Sequence, residues 1–429
     1  MYYYSTNNRG HHATLKQAVT SGQAPDKGLY MPQQIPVLPE TFYANLKGLP
    51  FDEIALKVAW ALFRNDLELT DLKRIVEDSL NFPIPLVKVE EEIYSLELFH
   101  GPTLAFKDVG ARFMARLLGH FLKDEDKEIT VLVATSGDTG SAVAHGFLNV
   151  PGIRVVILYP SGKVSPLQEK QLTTLGQNIT ALEVNGSFDD CQALVKLAFA
   201  DEELNKRVNL TSANSINIAR LVPQSFYYHY AWSQLPAGKD DKVVVCVPSG
   251  NFGNISAGLI AKRMGLPIHR FVAATNANDV VPQYLQTGTY TPRPSVATCS
   301  NAMDVGNPSN FARMMDLYNN DLDALANDLV GYAITDAETK FAVNEIQQRT
   351  GYLTDPHGAV GYLALKQYLQ TEPATGIFLE TAHPAKFIEV VEEATGNKVD
   401  IPEALASLQH LPKLAHKIEA DLEALKAHL

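Results

Sequence analysis

Between residues 13 and 82, apolar residues recur at the spacing of a helix face, as in Ile54, Ala55, Val58, Ala59 and Leu62 and again in Leu72, Ile75, Val76 and Leu80. Pro and Gly break the runs, so a helical N-terminal region is predicted. After Pro83 and Pro85 the pattern changes to short β-rich runs separated by amphipathic stretches, at 129–134, 155–159, 179–184, 243–247 and 271–275. Strand-then-helix alternation predicts an α/β chain with mostly parallel, doubly wound open sheets. Ligands in such sheets lie beyond the carboxyl ends of the strands. Residues 276–325, with Pro292, Pro294, Pro308 and much Asn and Ser, interrupt the alternation and predict a long excursion near the site. Ala, Leu, Lys and Glu dominate 403–408 and 414–429, which predicts closing helices that serve packing.

At ~150 residues per unit, 429 residues make about three folding units. Hydrophobic residues at 46% and charged residues at 20% exclude disorder and low-complexity fibre. The net charge of −12 opposes nucleic acid and anionic membrane surfaces, so neither is expected as a partner. An anionic substrate would have to be met by local cations or backbone donors. Cys191, Cys246 and Cys299 share no CxxC spacing and read as free thiols in a reducing compartment. The first residues show no basic stretch followed by an apolar run, and no segment approaches ~20 apolar residues, so a cytoplasmic location is expected.

The segments 131–147 and 244–260 share one plan: a buried strand, then Ser-Gly-Asp/Asn-x-Gly, then an apolar-periodic helix. Glycines let the backbone approach a ligand, and the N–H groups that open a helix favour an anion. Each loop reads either as an ordinary turn or as an anion cradle. The pair together favours a ligand with two anionic groups, or a cofactor phosphate plus a substrate. Walker and GxGxxG patterns are absent, as are HExxH and GxSxG, which disfavours nucleotide, zinc-protease and serine-hydrolase chemistry, and no metal is expected.

Lys107 follows Leu104-Ala105-Phe106 and stands where a helix begins, with Asp108 near the cap. A cation there is disfavoured by ~0.3–1 kcal/mol. Apolar neighbours and a helix N-terminus both favour the free amine, the form that condenses with a carbonyl. Pyridoxal phosphate is the natural carbonyl partner, and a solvated surface lysine is the alternative.

The motifs LFHGPTLAFKD, ATSGDTG, PSGKVSPLQEKQLTTLG, TSANSINIARL, PSGNFGN, SNAMDVGNPSNF and TAHPAKF together resemble the threonine synthase family of the longer, microbial and fungal type. The resemblance implies the fold type II architecture of pyridoxal phosphate enzymes. Residues 1–90 would form a helical N-terminal domain, 91–395 a catalytic core of two α/β subdomains with the cofactor cleft between them, and 396–429 a C-terminal helical segment. It implies conversion of O-phospho-L-homoserine and water to L-threonine and phosphate, by a chain expected to be monomeric. Lys107 would be the Schiff-base lysine and proton shuttle. Gly250, Asn251, Phe252, Gly253 and Asn254 would hold the cofactor phosphate, and the Thr381 hydroxyl would meet the pyridine nitrogen. Thr135, Ser136, Gly137, Asp138 and Thr139 would receive the substrate carboxylate and border the cofactor's 3′ oxygen, a place where the Asp138 carboxylate needs compensation. Lys163, Arg220 and Arg112, with Asn214 and Ser165 as further donors, are candidates for the leaving phosphate. Each basic residue taken singly reads equally as a surface ion pair. His100, His357 and His383 fall in the motifs and read either as site neighbours or as loop braces.

Overall fold

The computed structural model describes residues 2–124 and 128–429. The N-terminal region carries a small antiparallel sheet, β1 (Tyr3–Ser5), β2 (His12–Ala13) and β3 (Tyr30–Pro32), in the order β2-β1-β3, beside helices at Leu15–Ser21, Phe51–Phe63 and Leu69–Ser79. The helices match the periodicity. The strands of this sheet are too short, at two or three residues each, to leave a pattern.

Two larger sheets form the core. One has six strands, β4 (Leu86–Glu90), β5 (Ile93–Glu97), β10 (Val243–Pro248), β11 (Arg270–Thr275), β12 (Leu329–Ala333) and β13 (Thr375–Glu380), in the order β12-β11-β10-β13-β5-β4. All its pairings are parallel except β4 with β5. The other has β6 (Ile129–Ala134), β7 (Ile153–Pro160), β8 (Ile179–Asn185), β9 (Asn209–Thr211) and β14 (Ala415–Glu419), all parallel, in the order β14-β8-β7-β6-β9. Every residue of β6, β10 and β13 is buried, as expected of parallel strands covered by helices on both faces. The five strands read from the sequence are all present.

The 414–429 segment departs from the helical expectation. Its apolar residues Leu414, Ile418, Leu422 and Leu425 keep helical spacing, yet 415–419 is an edge strand on β8 and only Leu422–Lys426 is helical. Ile418 and Leu425 are both buried in one cluster with Leu182, Val184 and Leu194. A strand followed by a short helix buries Ile418 and Leu425, which a continuous helix would also set on one face, and leaves Leu414 exposed, so periodicity alone did not separate the two.

The N-terminal region packs on the helix that carries Lys107 (Lys107–Leu122). Phe63 stacks on Phe113 at 5.9 Å between ring centroids, and Phe113 meets Phe226 edge-on at 5.6 Å. The excursion after β11 folds into short helices, including Val280–Thr287 and Phe311–Leu317.

Candidate active site

Lys107 is the first residue of its helix, and its backbone is fixed by the chain that follows β13. Phe106 N–H donates to the Thr381 carbonyl (2.9 Å), His383 N–H donates to the Leu104 carbonyl (3.1 Å), and Ala105 bridges Ala382. The motif ends of β5 and β13, neighbours in the sheet, therefore set Lys107 beside Thr381. Thr381 is 7% exposed, and its hydroxyl has no partner among the described residues. Asp108 turns the other way, accepting from Thr103 N–H (2.8 Å) and Thr103 Oγ1 (2.7 Å).

Lys107 Nζ lies 3.6 Å from Asp138 Oδ2 and 5.1 Å from the Phe106 ring centroid. Burial pushes the ammonium below the ordinary lysine value; the Lys386 and Arg220 charges push the same way, against Asp138. Asp138 opens the helix Asp138–Phe147 and is 6% exposed. Burial alone would raise its carboxyl, but Lys386 and Lys107 hold it below the usual carboxylate range. Lys386 Nζ is 2.6 Å from Asp138 Oδ1, and Gln168 Nε2 donates to the same oxygen at 2.8 Å. The compensation that Asp138 requires comes from the TAHPAKF segment. Lys386 and Gln168 were both missed as site residues, although both lie in motifs already singled out.

In the same loop, Thr135 Oγ1 accepts from Gly137 N–H (3.0 Å) and Gly140 N–H (2.8 Å), so it braces the loop from within. Gly137 sits at φ 140°, and a Cβ there would meet the Gln168 amide at 2.8 Å. The N–H groups of Asp138 and Thr139 have no acceptor among the described residues, and the Ser136 and Thr139 hydroxyls have no partner there either.

The second glycine loop follows β10 and leads into the helix Gly253–Arg263. A Cβ on Gly250 would lie 2.7 Å from Met303 Cα, and one on Gly253 3.0 Å from Ser215 Cβ. Only glycine lets this loop lie so close to its neighbours. Phe252 takes the left-handed conformation (φ 57°) to start the helix. Asn251 spends its side chain on bracing: its Nδ2 donates to Ser215 Oγ (2.8 Å) and its Oδ1 accepts from Ser309 N–H (2.6 Å). Behind it, fully buried Arg313 donates to the Ser215 carbonyl and the Asn310 Oδ1, both at 2.8 Å, and to the Ile216 carbonyl at 2.6 Å. Tyr227 and Tyr228 both donate to Asn254 Oδ1, at 2.5 and 2.6 Å, which fixes the amide. Asn254 Nδ2 is buried with no partner among the described residues.

Among the candidates for the leaving phosphate, Arg220 is 2% exposed near Lys107, donates through Nη1 to the Ala213 carbonyl and has an Nε without a partner among the described residues. Burial pushes its guanidinium down to about 10. Asn214 is half-buried, with no partner for its side chain among the described residues. Lys163 is exposed and makes no ion pair among the described residues, and Ser165 caps the helix Pro166–Thr173 through Gln168 N–H. Arg112 is elsewhere. Five residues past Lys107 put it ~140° around the helix, where Nε donates to the Ser79 carbonyl (2.9 Å) and Nη2 to the Asp78 carbonyl (2.8 Å), closing the end of the helix Leu69–Ser79.

Beneath Thr381 lies a buried acidic cluster that sequence reading did not detect. Glu380 Oε1 accepts from Asp355 N–H (2.6 Å) and Oε2 from Thr354 Oγ1 (2.8 Å). His357 accepts the Ala302 N–H at Nε2 (3.2 Å), so its Nδ1 carries the proton and donates to Asp355 Oδ1 (2.6 Å). His357 thus braces the excursion that abuts Gly250. Burial, then Asp355, holds the Glu380 carboxyl well above the usual range. The folded state therefore binds a proton that the unfolded chain releases above its ordinary value of 4.5, and stability falls as pH rises through and beyond that value. Glu380→Gln should flatten this slope, raising Tm by about 2 °C or more at neutral pH with no gain at acid pH, as read by thermal melts across pH.

Loops from both sheets meet through Lys107, Asp138 and Lys386, and through Ser215 and Asn251, so these candidate residues gather where the carboxyl ends of the two sheets face one another. This fold and site define a pyridoxal phosphate enzyme of fold type II, and residues 80–377 match the family model for pyridoxal-phosphate dependent enzymes. Residues 2–80 match the model for the threonine synthase N terminus, and 358–429 that for the threonine synthase C-terminal region. The threonine synthase of Haemophilus influenzae is 50% identical over 99% of this chain and 99% of its own length. The crystal structure of threonine synthase from Escherichia coli superposes with a TM-score of 0.93 at 45% identity, covering 100% of this chain and 99% of that one. A pyridoxal phosphate-bound threonine synthase from Brucella melitensis gives 0.93 at 34% identity, covering 100% and 98%. The chain belongs to the threonine synthase family.

The residues fit the family's cofactor. The buried, unpartnered Asn254 Nδ2 at a helix mouth, the crowded Gly250 and Gly253, the Lys107 amine and the unpartnered Thr381 hydroxyl are the donor set that a phosphorylated pyridine aldehyde requires. Among the described residues, no helix is long and apolar enough to cross a membrane.

Proposed function

We propose that this chain converts O-phospho-L-homoserine and water to L-threonine and inorganic phosphate, the last step of threonine biosynthesis, with pyridoxal phosphate as cofactor. The observation that carries the assignment of roles is the Lys107 amine, set between Thr381 and Asp138 with its ammonium form disfavoured. When bound, the cofactor supplies a carbonyl for the substrate amine and a ring that takes up electrons from the α carbon. Lys107 Nζ would hold the cofactor, and as a free amine it moves protons at the α and β carbons of the substrate. The backbone N–H groups of 250–254 and Asn254 Nδ2 would bind the cofactor phosphate, and Thr381 Oγ1 would meet the pyridine nitrogen. The N–H groups at Asp138 and Thr139, with Ser136, receive the substrate carboxylate, while Thr135 and Gly137 shape that loop.

In this reading Arg220 meets the leaving phosphate, supported by its burial near Lys107 and its unpartnered Nε, with Asn214 as a neutral donor, Lys163 available from the loop after β7, and Ser165 fixing that loop. Water is a reactant that must be kept out until phosphate has left, and closure of the cleft would supply that timing. The reading includes a cytoplasmic setting and a monomeric state, the latter checked by sedimentation of the holoenzyme.

The test is to incubate purified holoenzyme with O-phosphohomoserine and quantify threonine, 2-oxobutyrate and phosphate together. Threonine and phosphate in equal amounts are expected. Oxobutyrate as the main product would make the chain a phospho-lyase instead.

A further inference from the structure

The Asp138 carboxylate stands between two lysines and treats them unequally. At Oδ1, Lys386 Nζ approaches to 2.6 Å and Gln168 Nε2 donates at 2.8 Å. At Oδ2, Lys107 Nζ stands off at 3.6 Å, beyond hydrogen-bond contact. The Lys386 side chain is wholly buried and is also fixed from behind, donating to the Thr103 carbonyl at 2.8 Å. It rises from the turn Pro384–Phe387, whose start is capped by His383 Nδ1 accepting from Ala385 N–H (3.1 Å). Lys386 is therefore rigid and paired, whereas Lys107 keeps 15% of its side chain accessible and a loose contact.

Resting on the role proposed for Lys107, we infer that Lys386 is a positioning residue for the reaction: it serves as the counter-ion of Asp138, so that the carboxylate stays charged beside the cofactor without pinning Lys107 as an ammonium. An aspartate with Lys107 as its only cation would hold the amine in the form that cannot act as nucleophile or base. Two lysines on one carboxylate leave one of them surplus, and the geometry makes Lys107 the surplus one.

The charges around the pair agree. Facing Lys107 are Asp138, Lys386 and Arg220, while Asp108 on its own helix is turned to Thr103. Around Lys386 stand Asp108, His145 and His383. Burial, then Lys386, pushes His145 down to about 4, and burial lowers His383 as well, so neither histidine adds a charge at neutral pH. Removing the Lys386 charge leaves Asp138 to act on Lys107 opposed by burial and by Arg220 alone among these charges, which raises the pH at which Lys107 gives up its proton.

The experiment is competitive acetylation of the full-length, cofactor-free chain across pH, read at Lys107 by peptide mass spectrometry. In the wild type the Lys107 midpoint is expected below the ordinary lysine value of 10.5. In Lys386→Met it should move up by about one unit or more, a tenfold loss of free amine at neutral pH; Lys386→Arg should restore it. Should the Met variant not fold, Lys386→Gln keeps a donor for the Thr103 carbonyl without the charge and carries the same expectation. A wild-type midpoint at or above the ordinary value, or an unmoved or lowered midpoint in the uncharged variants, overturns the inference. A cofactor adduct mapped to Lys107 alongside an unmoved midpoint removes only the role of Lys386. An adduct mapped to another residue removes the Lys107 reading itself.

Discussion

Replacing Lys107 by Ala is expected to lower kcat/KM for threonine formation by more than ~10⁴-fold, the upper end of what one general acid–base group supplies. The loss exceeds that range because the proposed reading gives one amine two kinds of work: tethering the cofactor, and then moving protons at successive carbons. No neighbour can replace it. Lys386 is committed to Asp138 and the Thr103 carbonyl, and Arg220 keeps its proton at neutral pH even when pushed down to about 10. Steady-state assays of threonine and phosphate on the purified variant check this, and turnover within tenfold of wild type would remove the lysine from both roles.

Gly250→Val is expected to weaken pyridoxal phosphate binding by ~10²-fold or more, the scale of a misplacement of about 1 Å in a positioned site. Its first side-chain carbon would fall 2.7 Å from Met303 Cα and 3.0 Å from the Ala302 carbonyl, both backbone atoms that cannot swing aside. The loop must then move off the excursion, and the amides proposed to bind the phosphate move with it. Pyridoxal, which lacks the phosphate, supplies the control: its weaker binding should change much less. Equal losses for both ligands would place the phosphate elsewhere.

Much of this architecture was legible because parallel strands covered on both faces are runs of apolar, mostly β-branched residues, as in Ile129–Ala134 and Val243–Pro248. The strand Thr375–Glu380 is central in its sheet, yet it carries Gly376 and Glu380 and did not read as a strand. Gly376 is there because a Cβ would meet Leu365 at 2.8 Å, and Glu380 because its carboxyl is hydrogen-bonded by Thr354 and Asp355. Both reasons are tertiary.

The candidate site divides in the same way. The glycine loops and Lys107 betray themselves locally, through a turn opening a helix and a cation where a helix disfavours one. Lys386 does not, because its burial depends on Thr103 and Asp138, each more than two hundred residues away. Arg112 shows the converse error: nearness in sequence to Lys107 suggested nearness in space, whereas the helix turns it to the far side. The buried Arg313 falls just beyond the SNAMDVGNPSNF motif, and only the fold shows it holding Ser215 and Asn310 behind the second loop.

Borohydride reduction of the holoenzyme followed by peptide mapping tests the central claim most directly. A single pyridoxyl-phosphate adduct on the peptide carrying Lys107 is the result predicted here. An adduct on Lys386, on any other lysine, or none at all in a chain that still forms threonine would contradict it.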